Sequence, residues 1–395
     1  MIKRFSFYMP TRIEFGPGSL KKLADTPYLP GRKALVVIGA SGAMRRTGHL
    51  DRTLKYLRQN KTAAVVYDAI HPNPLSEHVE EGAKLAKRKN CDFVVGLGGG
   101  STIDSAKSIA MLAKNPGRYW DYICGGTGKC KEPKKGALPI VAIPTTAGTG
   151  TESDPWTVIT KSGAKEKIGW GNDDTYPKLS IVDPELMLTV PPDITAHTGM
   201  DAFFHAVEAY VATCSQPASD LLALESAGMI TLYLPVAVRQ PDNLDARTKL
   251  AWASTSAGIC ESLSGCISHH SIEHSISAFH PEVPHGAGLT MLSVSYFTWL
   301  SERVPQRFID LARVMGVDMD RLVERERPGA FVKALRKLIR DIGLENESLS
   351  KYGVQRKEFA AMARNSFQTM GGLYKITPAK MTVKDVTGIL DRAFF

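Results

Sequence analysis

Phe93-Val94-Val95-Gly96-Leu97-Gly98-Gly99-Gly100-Ser101-Thr102-Ile103-Asp104-Ser105-Ala106-Lys107 is the stretch whose reading decides the fold. Phe93 to Leu97 is a short apolar, β-branched run of the kind that forms a buried strand. After the three glycines the spacing becomes helical. A strand that passes through glycine into a helix lets backbone N–H groups approach a pyrophosphate, and the helix N-terminus attracts the same anion. An ordinary turn with Ser101 as N-cap would also use glycine and serine. Three consecutive glycines exceed what such a turn needs. The usual GxGxxG arrangement after the first strand is absent, Gly39-Ala40-Ser41-Gly42 being only a fragment of it.

Working outward, short β-branched runs at Ala34 to Ile38, Ala63 to Tyr67, Ile140 to Ile143 and Leu179 to Val182 alternate with helix-like segments. That alternation predicts β-α-β units around a parallel sheet. Pro144-Thr145-Thr146-Ala147-Gly148-Thr149-Gly150-Thr151-Glu152 follows one of these strands and offers hydroxyl and amide donors at the edge where α/β sheets bind ligands. Gly125-Gly126-Thr127-Gly128-Lys129 lacks the full P-loop spacing and reads as a flexible surface loop. Beyond Pro191-Pro192 longer amphipathic segments take over, at Met200 to Ala212, Ala218 to Tyr233 and Ala246 to Leu263, with loops expected near Gly343 to Gly353 and at Gly371-Gly372. The expectation is an α/β, Rossmann-like dinucleotide-binding domain over 1–190 and an all-α, metal-binding domain over 191–395.

A chain of 395 residues suits two domains, and 43% apolar with 23% charged residues excludes a disordered or fibrous protein. The net charge of +9 raises nucleic acid as a partner. The basic residues are scattered, however, and the run Arg321 to Arg327 is interleaved with Glu324 and Glu326, so no nucleic-acid partner is expected. The six cysteines form no CxxC pair and a chain of this size needs no disulfide. The N-terminus lacks the apolar core of a signal peptide, and no uninterrupted apolar run reaches membrane-spanning length. A soluble, cytoplasmic protein with no membrane partner is the expectation.

Five of the ten histidines crowd between residues 269 and 285. Upstream, Asp201 and His205 are four apart on a helical pattern and so share a face, as do His270 and His274. Pro281 and Pro284 must end the second helix before His285. Asp201 and His205 joined by His270 and His285 would supply one oxygen and three nitrogens, a set suited to Zn²⁺ or Fe²⁺. A metal-free acid/base site is the competing use of the same histidines.

These separated signals resemble the iron-containing (group III) alcohol dehydrogenases. The resemblance runs from Phe15-Gly16-Pro17-Gly18 through the two loops at Gly98 and Thr145, Asp183-Pro184-Glu185-Leu186 and Thr198-Gly199-Met200-Asp201-Ala202-Phe203-Phe204-His205-Ala206-Val207-Glu208, to Pro284-His285-Gly286. It implies the dehydroquinate synthase-like fold of that family, a homodimer, and Fe²⁺, or Zn²⁺ in some members, on Asp201, His205, His270 and His285. It also implies a dinucleotide site lined by Asn73, Gly98, Gly99, Gly100, Ser101, Asp104, Thr145, Thr146, Thr149 and Lys167. His274 matches a histidine near the nicotinamide and is expected to relay the proton. Two departures stand out. The stretch from His270 to His285 is one residue longer than in many members, which makes His280 a rival ligand, and Asp154 stands where many members carry threonine.

Members that prefer NAD often place a carboxylate after the first strand for the ribose 2′-hydroxyl. This chain has Gly39 there, with Ser41, Arg45 and Arg46 close behind, so NADP is expected over NAD. The implied reaction is hydride transfer between a small primary alcohol, or its aldehyde, and the nicotinamide. Phe203, Phe204 and Phe279 near the metal motifs favour a small apolar alcohol over the alternative readings, a glycerol or polyol(-phosphate) dehydrogenase of the same superfamily or a dehydroquinate-synthase-like lyase, whose phosphate or carboxylate substrates call for cationic groups. A non-catalytic metal- or nucleic-acid-binding protein would leave the glycine and threonine loops unexplained.

Overall fold

The runs read as strands pair in a single parallel sheet. In the computed structural model, which describes residues 4–395, the first unit of the chain spans Met9–Val190. It contains β1 (Arg12–Phe15), β2 (Lys33–Gly39), α1 (Ala43–Arg46), α2 (His49–Gln59), β3 (Ala63–Ile70), α3 (Ser76–Arg88), β4 (Phe93–Gly98), α4 (Gly100–Lys114), β5 (Ile140–Pro144), β6 (Thr157–Lys161), β7 (Glu166–Trp170) and β8 (Leu179–Val182). Six strands lie in the order β1-β8-β5-β4-β2-β3, all parallel, and β6 and β7 form a separate antiparallel hairpin.

The central strands are apolar without alternation because helices cover both faces of a parallel sheet. Ala34, Val36 and Ile38 share one cluster with Phe93, Val95, Leu97, Val141, Ile143, Leu179 and Ile181, and α2 closes it with Leu50 and Leu57. Each large aliphatic side chain buried there contributes roughly 1.5–3 kcal/mol relative to exposure. The strand order reverses between β2 and β4, which pair from Ala34–Phe93 to Val37–Gly96. Ligands bind open α/β sheets outside the carboxyl ends of the strands at such a reversal. Gly39 and Gly98 end those two strands.

Two sequence expectations change in this unit. Cys124 and Cys130 form a disulfide, whereas none was expected. The Gly125 and Gly126 backbone, at φ 139° and 51°, folds the intervening chain back on itself. The loop is also held in place: the Thr127 N–H and hydroxyl donate to the Glu166 carboxylate at 2.8 and 2.7 Å. Strand β1 and the β6–β7 hairpin, too short and polar to stand out in sequence, are additions.

The second unit comprises Pro191–Phe395 together with the described residues before Met9. Sequence reading had put those N-terminal residues in the first domain. The Gln216 side-chain amide, donating to the Ser6 carbonyl at 3.1 Å, ties them to the helices. The helices are α5 (Pro192–Val211), α6 (Pro217–Arg239), α7 (Leu244–Ser264), α8 (Ser268–Phe279), α9 (His285–Ser301), α10 (Pro305–Val314), α11 (Ala330–Asp341), α12 (Phe359–Ile376) and α13 (Val383–Arg392). Pro192 and Pro217 sit in first turns, where a missing N–H costs nothing. Gly371 and Gly372 do not open a loop; they lie inside α12, whose irregular residue is Met370. Helix α6 is long and apolar enough to cross a membrane by length and composition. Here it packs against α5 and α7 as a bundle helix.

Candidate metal centre and dinucleotide cradle

On α5, Asp201, His205 and Glu208 fall at i, i+4 and i+7, one face of a helix. Helix α8 carries His269, His270, Glu273 and His274, and His285 is the first residue of α9. All are buried except His285, which is half-buried. The folding of these three helices brings Asp201 Oδ1 to 3.8 Å from His205 Nε2, 3.6 Å from His270 Nε2 and 3.5 Å from His285 Nε2. A tetrahedral ion with ligand bonds of about 2.1 Å separates its donors by about 3.4 Å. The observed spacings approach that value. Asp201 Oδ1 and His270 Nε2 are buried without a hydrogen-bond partner, a costly state for polar atoms unless something charged sits between them. The donor set therefore fits a divalent ion. Asp201, His270 and His285 form one tight group, with His205 grouped instead with His270 and Cys266.

Electrostatics agree with a cation site. Burial opposes the charge on Asp201, but the imidazoles of His205, His285 and His270 hold its carboxyl well below the usual carboxylate range. Glu208 behaves alike: burial is outweighed by His270 and His269, and its pKa is lowered to about 2. Burial would lower the pKa of His270, yet Cys266 and Glu208 drive it well above the ordinary imidazole value.

The remaining clustered histidines separate by their partners. His269 engages both ring nitrogens, Nδ1 with Glu208 Oε1 at 2.7 Å and Nε2 with the Leu289 carbonyl at 3.0 Å. His280 does the same with Glu282 at 3.2 Å and Glu358 at 2.9 Å, which removes it as a rival ligand. His274 is buried beside the candidate ligand rings, its centroid 5.4 Å from that of His285. One expectation fails. Phe203 and Phe204 are fully buried in an aromatic core, stacked on Phe331 and Phe297 at 6.3 and 5.8 Å, and line no substrate pocket. Phe279 is half-buried at the end of α8. Sequence reading gave no role to Glu208, Glu261, Cys266 or Glu273. Glu261 lies 3.5 Å from His205 Nε2, and Cys266 touches His270. The signal for the first and last was present as helical spacing from known candidates.

In the first unit, the three glycines bring the two loops together. A Cβ on Gly100 would meet Thr149 Cγ2 at 2.3 Å, and one on Gly99 would meet the Thr146 hydroxyl at 3.1 Å. Helix α4 starts at Gly100 with Gly99 as N-cap and no side-chain cap, so Ser101 lies within the first turn and does not cap it. First-turn N–H groups without a cap are what an anionic ligand needs. Asn73, at φ 49°, precedes Pro74, whose carbonyl accepts from Thr160 N–H at 2.8 Å, and Lys167 is the register partner of Thr160 in the hairpin. Asp104 is turned inward. Its oxygens accept from the Thr151 hydroxyl at 2.7 Å and Val158 N–H at 2.9 Å, so it braces the threonine loop and its expected contact with the cofactor is withdrawn. Asp154 is buried against Lys107 at 3.0 Å, which explains an aspartate where threonine was expected. Gly39 leaves room at the end of β2: a Cβ would find the Ile70 carbonyl at 3.6 Å. Beside it, Arg46 donates to the Ser41 carbonyl at 2.6 Å, while Arg45 pairs with Asp68 at 2.8 Å.

Comparison with known proteins gives the same picture from a separate direction. Residues 10–184 match the iron-containing alcohol dehydrogenase model, and residues 195–394 match the C-terminal model of the Fe-containing alcohol dehydrogenase family. The NAD-dependent methanol dehydrogenase of Bacillus methanolicus is 32% identical over 98% of this chain and 99% of its own. The NADPH-dependent butanol dehydrogenase of Clostridium saccharobutylicum is 31% identical, over 89% of this chain and 88% of its own. The crystal structure of an archaeal halo-thermophilic Red Sea brine pool alcohol dehydrogenase superposes with a TM-score of 0.94 at 34% identity, covering 100% of both chains.

Proposed function

The chain belongs to the iron-containing alcohol dehydrogenase family, and from that premise we propose that Asp201, His205, His270 and His285 hold one divalent ion, Fe²⁺ ahead of Zn²⁺. As a member it is a metal-dependent, NAD(P)-dependent oxidoreductase that interconverts alcohols and aldehydes. The observation that carries the ligand assignment is the bare Asp201 Oδ1 facing three imidazole nitrogens. When bound, the ion supplies Lewis acidity, easing loss of the alcohol proton and stabilising negative charge on that oxygen. A bound nicotinamide would supply the hydride acceptor.

The residues of the chain do the rest. Asp201 stays ionised and lends its charge to the ion. His274, packed beside His285, carries the alcohol proton away. The N–H groups at Gly99, Gly100 and Ser101 would cradle the pyrophosphate, with Gly98, paired to β5 at the strand end, making the turn, and Thr145, Thr146, Thr149, Asn73 and Lys167 would complete the dinucleotide site. NADP is the preferred form. Gly39 presents no carboxylate against a 2′-phosphate, and Arg46 with Ser41 supplies donors, Arg45 being countered by Asp68. The substrate is a short primary alcohol, consistent with relatives named for methanol and butanol.

Metal analysis of anaerobically purified protein, with NADPH oxidation by a panel of short aldehydes before and after chelation, tests this reading. Iron or zinc near one per chain and activity lost with the metal are expected; activity indifferent to chelation would refute it. A homodimer in a cytoplasmic setting completes the proposal, and sedimentation of the purified protein checks the first part.

A further inference from the structure

Two buried carboxylates outside the ligand set point at the far side of two ligand rings. Glu208 Oε1 lies 2.7 Å from His270 Nδ1. Glu273 Oε2 hydrogen-bonds His285 Nδ1. Both glutamates have side chains with no exposure. An ionised carboxylate can only accept, so each Nδ1 must carry the proton, and in a neutral ring this leaves the lone pair on Nε2. Those are the nitrogens that face Asp201 at 3.6 and 3.5 Å. His205 differs: its buried Nδ1 has no hydrogen-bond partner.

We propose that Glu208 and Glu273 are positioning residues that fix the tautomer and ring orientation of His270 and His285 and thereby raise the affinity of the metal centre. The proposal rests on the ligand assignment above. The surroundings are built for it. Glu273 reaches His285 because position 288 is glycine; a Cβ there would stand 2.9 Å from its Oε1 and Cγ. Glu208 has a wider task. Its Oε1 also faces His269 Nδ1 at 2.7 Å, and its Oε2 accepts from Ile267 N–H at 2.8 Å at the start of α8, where the Thr377 hydroxyl takes the next N–H, that of Ser268, at 3.0 Å. One carboxylate thus sets both the ring and the helix that carries it.

The two sites respond differently to the same change. Glutamine at 273 keeps an oxygen that accepts the His285 Nδ1–H. Glutamine at 208 has one acceptor oxygen for three N–H donors, and its amide N–H groups must meet at least one of them. The test is Co²⁺ binding to the full-length apoprotein, by competition with a chelator of known affinity and by the visible d–d spectrum, with thermal unfolding of each apoprotein alongside. Losing such a partner typically weakens metal binding by roughly 10–100-fold. Glu273→Ala and Glu208→Gln are expected to fall in that range with altered spectra, Glu273→Gln to recover most of the affinity, and Gly288→Ala, which crowds an intact Glu273, to weaken binding like Glu273→Ala. Affinity within about threefold of wild type and an unchanged spectrum for Glu273→Ala and Gly288→Ala overturn the proposal. Failure of the wild-type apoprotein to bind Co²⁺ overturns the ligand assignment itself.

Discussion

Replacing Lys107 by methionine should destabilise the dinucleotide-binding unit more than most single changes. The ammonium group is fully buried and faces the Thr151 hydroxyl at 2.7 Å, the Asp154 carbonyl at 2.8 Å, the Asp154 carboxylate at 3.0 Å and the Trp156 carbonyl at 2.8 Å. Methionine fills similar space but leaves Asp154, whose side chain is 2% exposed, as a buried charge without its cation. Removing one member of a buried pair costs about 3–5 kcal/mol. At roughly 2–4 °C per kcal/mol for a unit of this size, the midpoint should drop by roughly 6–20 °C. Calorimetry of the wild type, Lys107→Met, Asp154→Thr and the double variant reads this directly. The double variant removes the stranded charge along with the cation, so its loss should fall short of the sum of the single losses by about 2 kcal/mol. A shift under about 2 °C for Lys107→Met, or additivity in the double variant, refutes the reasoning. Because the same contacts anchor the loop carrying Thr145, Thr146 and Thr149, the dinucleotide KM should rise more than kcat falls.

His270→Ala should lose bound metal and activity together by elemental analysis and aldehyde assay; retention of both would remove it from the ligand set. Arg46→Ala should lower kcat/KM for NADPH by roughly 10–100-fold, the range of a lost charge-assisted hydrogen bond, and leave NADH nearly untouched, while Gly39→Asp should reverse the preference; a wild type that prefers NADH contradicts the 2′-phosphate reading. Glu208 has a depressed pKa, from 4.5 to about 2, so its contribution to apoprotein stability is present above pH 4.5 and is lost as pH falls toward about 2. Melting temperatures taken through that interval should fall less for Glu208→Gln than for wild type. Thiol titration in denaturant of freshly isolated protein should find four thiols, those of Cys91, Cys214, Cys260 and Cys266, and six after reduction; six from the outset would mean that the Cys124–Cys130 bond is open.

What the sequence made legible was what is written locally. The strand runs were visible because a parallel sheet covered on both faces demands unbroken apolar residues, and Gly98 to Gly100 were visible because few local structures require three glycines. Asp201 and His205 were visible as an i, i+4 pair. Features that depend on distant partners were not. Phe203 and Phe204 sit beside His205 in the chain yet face the opposite way, toward Phe331 and Phe297, because neighbours on a helix diverge by about 100°. Asp104 looks like a cofactor contact until Thr151 is seen to hold it, and Asp154 looks out of place until Lys107 is found beside it.

The choice among five histidines shows why spacing alone stops short. His269 and His270 are adjacent, both buried, and both bonded through Nδ1 to the same oxygen of Glu208. They differ in what meets Nε2: the Leu289 carbonyl for His269, and the region of Asp201 for His270. A carbonyl acceptor claims the nitrogen for a proton, whereas an anionic oxygen held beyond hydrogen-bond distance leaves the nitrogen facing a space suited to positive charge. The proposed choice of ligands therefore turns on the second nitrogen of each ring, which depends on how three helices pack and which no one-dimensional pattern contains.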